Sequence, residues 1–334
     1  NTMSSDGTTN IGTISVSNDG KYMAYAFSKA GSDWQEINIK NTIDGGMLTD
    51  KVEWVKFSGI AWRAGGFFYS RYDKPDEKNV LKGQNEFQKI YFHIAGTPQS
   101  VDQLIYEDKA HPQRNFGAGT TDDEKWLIIS GSEGTSGNNV IVKDLETPDT
   151  KFVTLVSDFE YDNAVVDNEG SNFFILTNKD ASRYKLISVD AKNPAAPPVV
   201  IIPESKDVLI SVSAGKNFLI AQYMHNATGL LKVFSRKGEF LYDIPLASIG
   251  AVDQITASKK DEKLFYSLDS YTAPSTIYQF NLDTKEQTVF FKPKMDFNSD
   301  DYETKQVFYP GKDGTSISMF IFNKKGIELN GNNP

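Results

Sequence analysis

Cysteine is absent from the 334 residues, and histidine occurs three times. The first absence excludes a disulfide scaffold, a zinc–thiolate site and a cysteine nucleophile. The second leaves little for a metal: His93, His111 and His225 lie scattered with no ligand spacing. Each therefore reads as a packed or solvated side chain, and neither metal nor cofactor is expected. No apolar run approaches the roughly 18 residues of a membrane helix; the longest, such as VVIIP from Val199, are strand-sized. No basic or apolar leader opens the chain, whose first residues NTMSSDGTTN are polar. It does not begin with Met, which fits a processed or excised piece. Positive charge is in deficit, with 35 Lys and Arg against 44 Asp and Glu, a net charge of −9 and a pI near 5.0. An acidic surface repels phosphate backbones, so nucleic acid is not an expected partner, and no membrane segment is visible either.

Catalytic signatures are missing too. No Gly-x-Ser-x-Gly elbow occurs. The Gly-rich stretch GSEGTSGNN at 131–139 lacks the lysine of a phosphate-binding loop and reads as a long hairpin turn. The acidic groups at Asp122, Asp123 and Glu124, and at Asp300 and Asp301, lack the alternating ligands of a calcium loop and read as solvated turns.

What is abundant is aromatic: 22 Phe and 15 Tyr against 6 Met, a bias toward strands. The aromatics recur. SNDGKYMAY, RAGGFFYS, DDEKWLII, NEGSNFFIL, SAGKNFLIA and KDEKLFYS each place a tight polar turn before an apolar run. Their first large apolar residues are Tyr22, Phe67, Trp126, Phe173, Phe218 and Leu264, spaced 45, 59, 47, 45 and 46 apart. The long interval contains the charged stretch DKPDEKNVLKGQNE, residues 73–86, which reads as an inserted surface loop. A strand precedes each turn and another follows the apolar run. In most units a fourth closes the pattern, as in KFVTLVS, PVVIIP, EFLYDIPL and QTVFFKP. About four short strands per 40–50 residues is the arithmetic of a β-propeller blade, and such blades stack to bury their faces. A large β-sandwich would not keep so even a period. The Gly-His and Trp-Asp pairs of WD repeats do not occur.

Four strings, AGSDWQEI (30–37), VKFSGIAW (55–62), QKIYFHIAGTPQSVD (88–102) and FYPGKDGTSISMFIFNKKG (308–326), together resemble the prolyl oligopeptidase family, colinearly from Asn1 to Pro334. The resemblance implies an all-β chain: a propeller of that family's seven-bladed type, with about six blades of four antiparallel strands present. Residues 1–300 would be propeller, with the first family blade largely missing. Residues 301–334 would open the α/β-hydrolase peptidase domain, as two strands around a Gly-Lys-Asp-Gly turn. The family's catalytic Ser, Asp and His match positions beyond Pro334, so no catalytic residue is expected here.

The resemblance further implies a gate of a serine endopeptidase that cleaves short peptides after proline. Its partners would be short proline-containing peptides and the peptidase domain, its compartment cytoplasm or periplasm. Four residues would line the substrate cavity: Phe57 by apolar contact, Phe116, and Ser132 with Thr135 in the turn SGSEGT, where some members carry Arg and Cys. That substitution would remove a charge from the pocket wall. Two other readings stand beside this one: a free-standing propeller that binds a peptide or protein, and a propeller glycosidase, for which no carboxylate pair stands out.

Overall fold

The structure, a computed structural model, describes residues 4–76, 83–328 and 330–333. Its regular structure is β throughout, apart from the 3-10 turns Gln99–Val101 and Ser299–Asp301 among the described residues. No helix there is long and apolar enough to cross a membrane.

The repeats fold as four-stranded antiparallel blades. Blade one pairs Asn10–Val16, Tyr22–Ser28, Gln35–Asn41 and Val52–Val55; blade two pairs Ala61–Arg63, Gly66–Arg71, Lys89–Ile94 and Gln103–Glu107. Blade three comprises Asn115–Thr120, Trp126–Ser132, Asn139–Asp144 and Val153–Val156. Blade four comprises Asn163–Glu169, Asn172–Thr177, Lys185–Asp190 and Val199–Ile202. Blade five runs through Val208–Ala214, Phe218–His225, Thr228–Ser235 and Phe240–Ile244, and blade six through Ala251–Ala257, Lys263–Asp269, Thr276–Asn281 and Gln287–Phe291. All six period-marking residues sit first or second in the second strand of their blade. Blades one and two are joined into one eight-stranded sheet by the pairing of Val55 with Arg71. The fourth strands Val52–Val55 and Gln103–Glu107 are additions to the sequence reading. Of the inserted loop 73–86, residues 77–82 lie outside the described residues.

The turn before each second strand explains why the repeat is visible. In blade one Ser17 Oγ donates to Asp19 Oδ1 (2.7 Å) and accepts from Tyr22 N (3.0 Å). In blade three Thr121 Oγ1 donates to Asp123 Oδ1 (2.6 Å) and accepts from Trp126 N (3.1 Å). The side chains satisfy backbone donors that the turn would leave bare. Asp123 thus spends its carboxylate inside the turn, and Glu124 Oε2 accepts from Ala64 N at 2.8 Å.

Contacts divide the chain into two units, 1–173 with 189–198, and 174–188 with 199–334. In the first, Ala24, Ala26, Ile37 and Ile39 of blade one pack on Trp62, Phe67 and Tyr69 of blade two. Ala61, Phe68 and Ile90 of blade two pack on Phe116, Leu127 and Ile129 of blade three. In the second, Ile220, Leu231 and Val233 of blade five pack on Leu264, Tyr266 and Phe280 of blade six.

Unit two also holds the hairpin of Tyr302–Pro310 with Ser316–Lys324, paired without a bulge from Tyr302↔Lys324 to Pro310↔Ser316. Its turn closes through Gly311 N to Thr315 O at 2.7 Å, with Gly314 at φ +83°. Tyr271 stacks on Phe322 at 5.7 Å, and Gln306 Nε2 donates to Asn226 O at 2.6 Å.

Candidate functional site

Of the four residues singled out from the sequence, Phe116 and Ser132 lie on blade three, Thr135 in the turn after Ser132, and Phe57 in the connection between blades one and two. Phe57 is 62% exposed, with φ at +54°. Trp54, just before it, has φ +62°. Bulky side chains rarely occupy this left-handed region, which costs about 1–2 kcal/mol per residue. Hydrogen bonds hold the segment there. Tyr72 N donates to Trp54 O (3.2 Å), Gln88 Nε2 to Lys56 O (2.8 Å), and Ser70 N to Ser58 Oγ (2.8 Å).

Two of those groups reach onward to Phe116. Gln88 Oε1 accepts from Phe116 N, and Ser70 Oγ donates to Phe116 O. The Phe116 ring is 2% exposed and packs edge-on against Tyr106 at 5.0 Å. Its backbone is therefore tied to the Phe57 loop while its ring fills the core between blades two and three. Ser132 pairs with Asn115 across the sheet, one residue from Phe116. Thr135 is exposed in the turn that follows.

That turn is built by close approach. Gly137 has φ +75°, and a Cβ there would stand 1.9 Å from Phe159 O. Asn138 and Asn163 then exchange bonds between blades three and four, Asn163 N to Asn138 Oδ1 and Asn138 Nδ2 to Asn163 O, each at 2.8 Å.

A cation stands against this turn although Ser132 and Thr135 supply none. Arg114 donates through Nε to Glu133 Oε1 (2.7 Å) and through Nη1 to Asp108 Oδ2 (2.8 Å). Its guanidinium lies 4.5 Å from the centre of the Phe159 ring. Burial works against the charge, but the bonds from Glu133 and Asp108 outweigh it and raise the Arg114 pKa. Arg114 stands two residues before Phe116 in the sequence; what the sequence could not show was the register that sets it beside 132–135.

Lys56 is a second feature legible only in space. Its Nζ lies 5.3 Å from the Trp34 and Phe57 ring centres and 3.3 Å from Asp33 Oδ2. Trp34 meets Trp54 edge-on at 5.8 Å and Tyr72 at 6.0 Å. Phe27, Trp34, Gln35 and Trp54 line a cleft there. Phe57 is thus the exposed end of an aromatic surface with a lysine between its rings, suited to apolar and weakly cationic contact with an extended chain. Each histidine is bonded to carboxylate: His93 to Asp50 and Asp102, His111 to Asp108, His225 to Asp207.

The sequence profile described as "Prolyl oligopeptidase, N-terminal beta-propeller domain" matches residues 1–293. The chain belongs to the prolyl oligopeptidase family. Its four-stranded sheets are blades of that family's propeller, about six of them. A prolyl endopeptidase of Elizabethkingia meningoseptica is 37% identical over 336 residues, covering 100% of this chain and 47% of that protein. Prolyl oligopeptidase A of Amanita bisporigera is 33% identical, covering 100% and 48%. Among solved structures, prolyl oligopeptidase B from Galerina marginata, as apo protein, superposes with a TM-score of 0.89 at 29% identity, over 98% of this chain and 48% of that one. A chain from a structural and mechanistic study of two prolyl endopeptidases superposes at 0.87, with 31% identity over 96% and 46%. The chain spans about half the length of the curated relatives it matches.

Proposed function

We propose that this chain is the substrate-filtering propeller of a serine endopeptidase that cleaves short peptides after proline. The observation that carries this reading is the match of the whole chain to about half of prolyl endopeptidases, in sequence and in fold. In this reading the chain hydrolyses nothing alone. A serine outside it attacks the carbonyl carbon of the proline itself, with a histidine as base oriented by an aspartate, and the amine of the next residue leaves. The propeller contributes steric exclusion of folded proteins and a cavity with little water. Residues 301–334, with their hairpin, begin the peptidase domain.

The exposed Phe57 ring supports its role as an apolar contact for substrate residues upstream of proline. Ser132 and Thr135 form the wall beside it, and Phe116 backs that wall from the core. The pairing of Arg114 with Glu133 supports a wall that has kept a guanidinium from a different position.

The test compares the chain with the complete protein that contains it. The chain alone is expected to leave a peptide proline-amide intact, and the complete protein to cleave it while sparing a folded protein. In the complete protein, Phe57→Ala is expected to raise KM about 5–30-fold, the loss of roughly 1–2 kcal/mol that one aromatic contact supplies. Turnover by the chain alone that vanishes on substituting one of its own residues would overturn the reading. So would sugar hydrolysis dependent on a carboxylate pair.

A further inference from the structure

A buried charged cluster lies close to the loop that carries Phe57. His93, on the third strand of blade two, is 0% exposed. Its Nδ1 is 2.7 Å from Asp102 Oδ1 and its Nε2 is 2.9 Å from Asp50 Oδ1. Asp50 leads into the fourth strand of blade one; Asp102 follows the 3-10 turn Gln99–Val101. Asp50 Oδ1 also accepts from Gly96 N at 2.6 Å. Asp102 Oδ2 accepts from Tyr69 OH at 2.7 Å, and the Tyr69 oxygen accepts from Gln99 Nε2 at 3.2 Å.

Both carboxylates are therefore placed as acceptors. A neutral imidazole has one N–H, so its other nitrogen would face a carboxylate lone pair to lone pair. Two donors are needed, and the imidazolium supplies them. Burial pushes the His93 pKa down, but the bonds to Asp102 and Asp50 outweigh it and leave it raised above the ordinary value of 6.5. The other groups around it are Tyr69, near Arg71, and the Phe67 ring at 5.3 Å.

Beyond the backbone that runs on from Asp50, the Gln99 side chain links the cluster to the aromatic loop. Gln99 Oε1 accepts from Glu53 N (3.1 Å), and Gln99 Nε2 donates to Glu53 O (3.0 Å). The left-handed Trp54 comes next, then Phe57 three residues on.

We propose that Asp50, His93 and Asp102 form a charged clasp between blades one and two that positions the 54–57 segment through Gln99 and the Glu53 backbone, and that alkaline pH opens it. His93 is here a positioning residue, and its importance for peptide use rests on the function proposed above; the clasp itself can be tested without a peptide. The folded-state pKa lies above the unfolded one. The stabilisation is therefore complete below about pH 6.5 and fades as pH climbs through the raised value. Loss of the proton leaves two carboxylates in a dry site with no cation between them.

The experiment uses the 334-residue chain with 15N-labelled histidine and 5-fluorotryptophan, the Trp54 signal being assigned by Trp54→Phe. Both ring nitrogens of His93 are expected to be protonated at pH 6.5. The imidazole should titrate above that pH, with the Trp54 fluorine resonance shifting at the same midpoint and that of Trp126, in blade three, unmoved. In Gln99→Met the His93 titration should persist and the Trp54 response should disappear. A singly protonated His93 at pH 6.5 would overturn the clasp. A Trp54 resonance flat through the His93 titration, or one still responsive in Gln99→Met, would overturn the positioning. If Phe57→Ala left KM unchanged, the proposed peptide contact would fail while these shifts stood.

Discussion

Phe57 and Phe116 are the same side chain in opposite settings, and substitutions should separate them. Removing the buried Phe116 ring leaves a cavity between two blades, so Phe116→Ala should cost about 3–5 kcal/mol in urea unfolding. Phe57→Gly removes a mostly exposed ring and relieves a left-handed backbone. The relief of about 1–2 kcal/mol offsets the roughly 0.5–1 kcal/mol that glycine adds in backbone entropy, so the unfolding midpoint should hold or rise slightly. At Gly137 both terms oppose change: φ is positive and the Phe159 carbonyl fills the space of a Cβ. Gly137→Ala should destabilise by more than the roughly 1–2 kcal/mol of the backbone term alone. Its effect should read out in thermal unfolding. From the sequence both phenylalanines looked like cavity residues, because neither string shows which way its ring points. Pairing of Asn115 with Ser132, and the fold of the loop before Ala61, decide that. The partners of His93 were similarly hidden. Asp102 stands nine residues away and Asp50 forty-three, distances at which nothing in a string marks contact.

Among the elements, the second strand of each blade was the most legible. It has a large apolar residue first or second behind a tight turn, and in blades one and three a Ser or Thr and an Asp of that turn bond to each other and to the backbone, so residue type and geometry coincide. The fourth strands of blades one and two were not. Val52–Val55 has four residues, and Gln103–Glu107 has no fully buried one, so neither carries the alternation that marks a half-buried strand. The final hairpin was legible because its two runs flank a turn rich in glycine, and its register is unbroken. Its attachment was not, since Tyr271 lies far upstream. Tyr271→Ala should therefore speed hydrogen exchange across 302–324 while leaving the strands of blade five protected. Equal loosening of both would show that the stacking holds more than the hairpin.

For the molecule as a whole, membership of the prolyl oligopeptidase family accounts for the repeat of period near 45 and its folding as propeller blades, about six of them. The eight-stranded sheet through Val55 and Arg71 ties the first two blades together by backbone pairing. Elsewhere each blade is a separate sheet, and an array of separate repeats can open one repeat at a time. Blades one and two share backbone bonds, a common apolar core and the Gln99 clip. They are expected to behave as a single foldon: amides in 22–28 and 89–94 should reach one common opening free energy in native-state exchange, distinct from that of blade three. A chain hinged anywhere along this stretch would have to break all three links at once, so slow local opening of the first unit has to begin elsewhere.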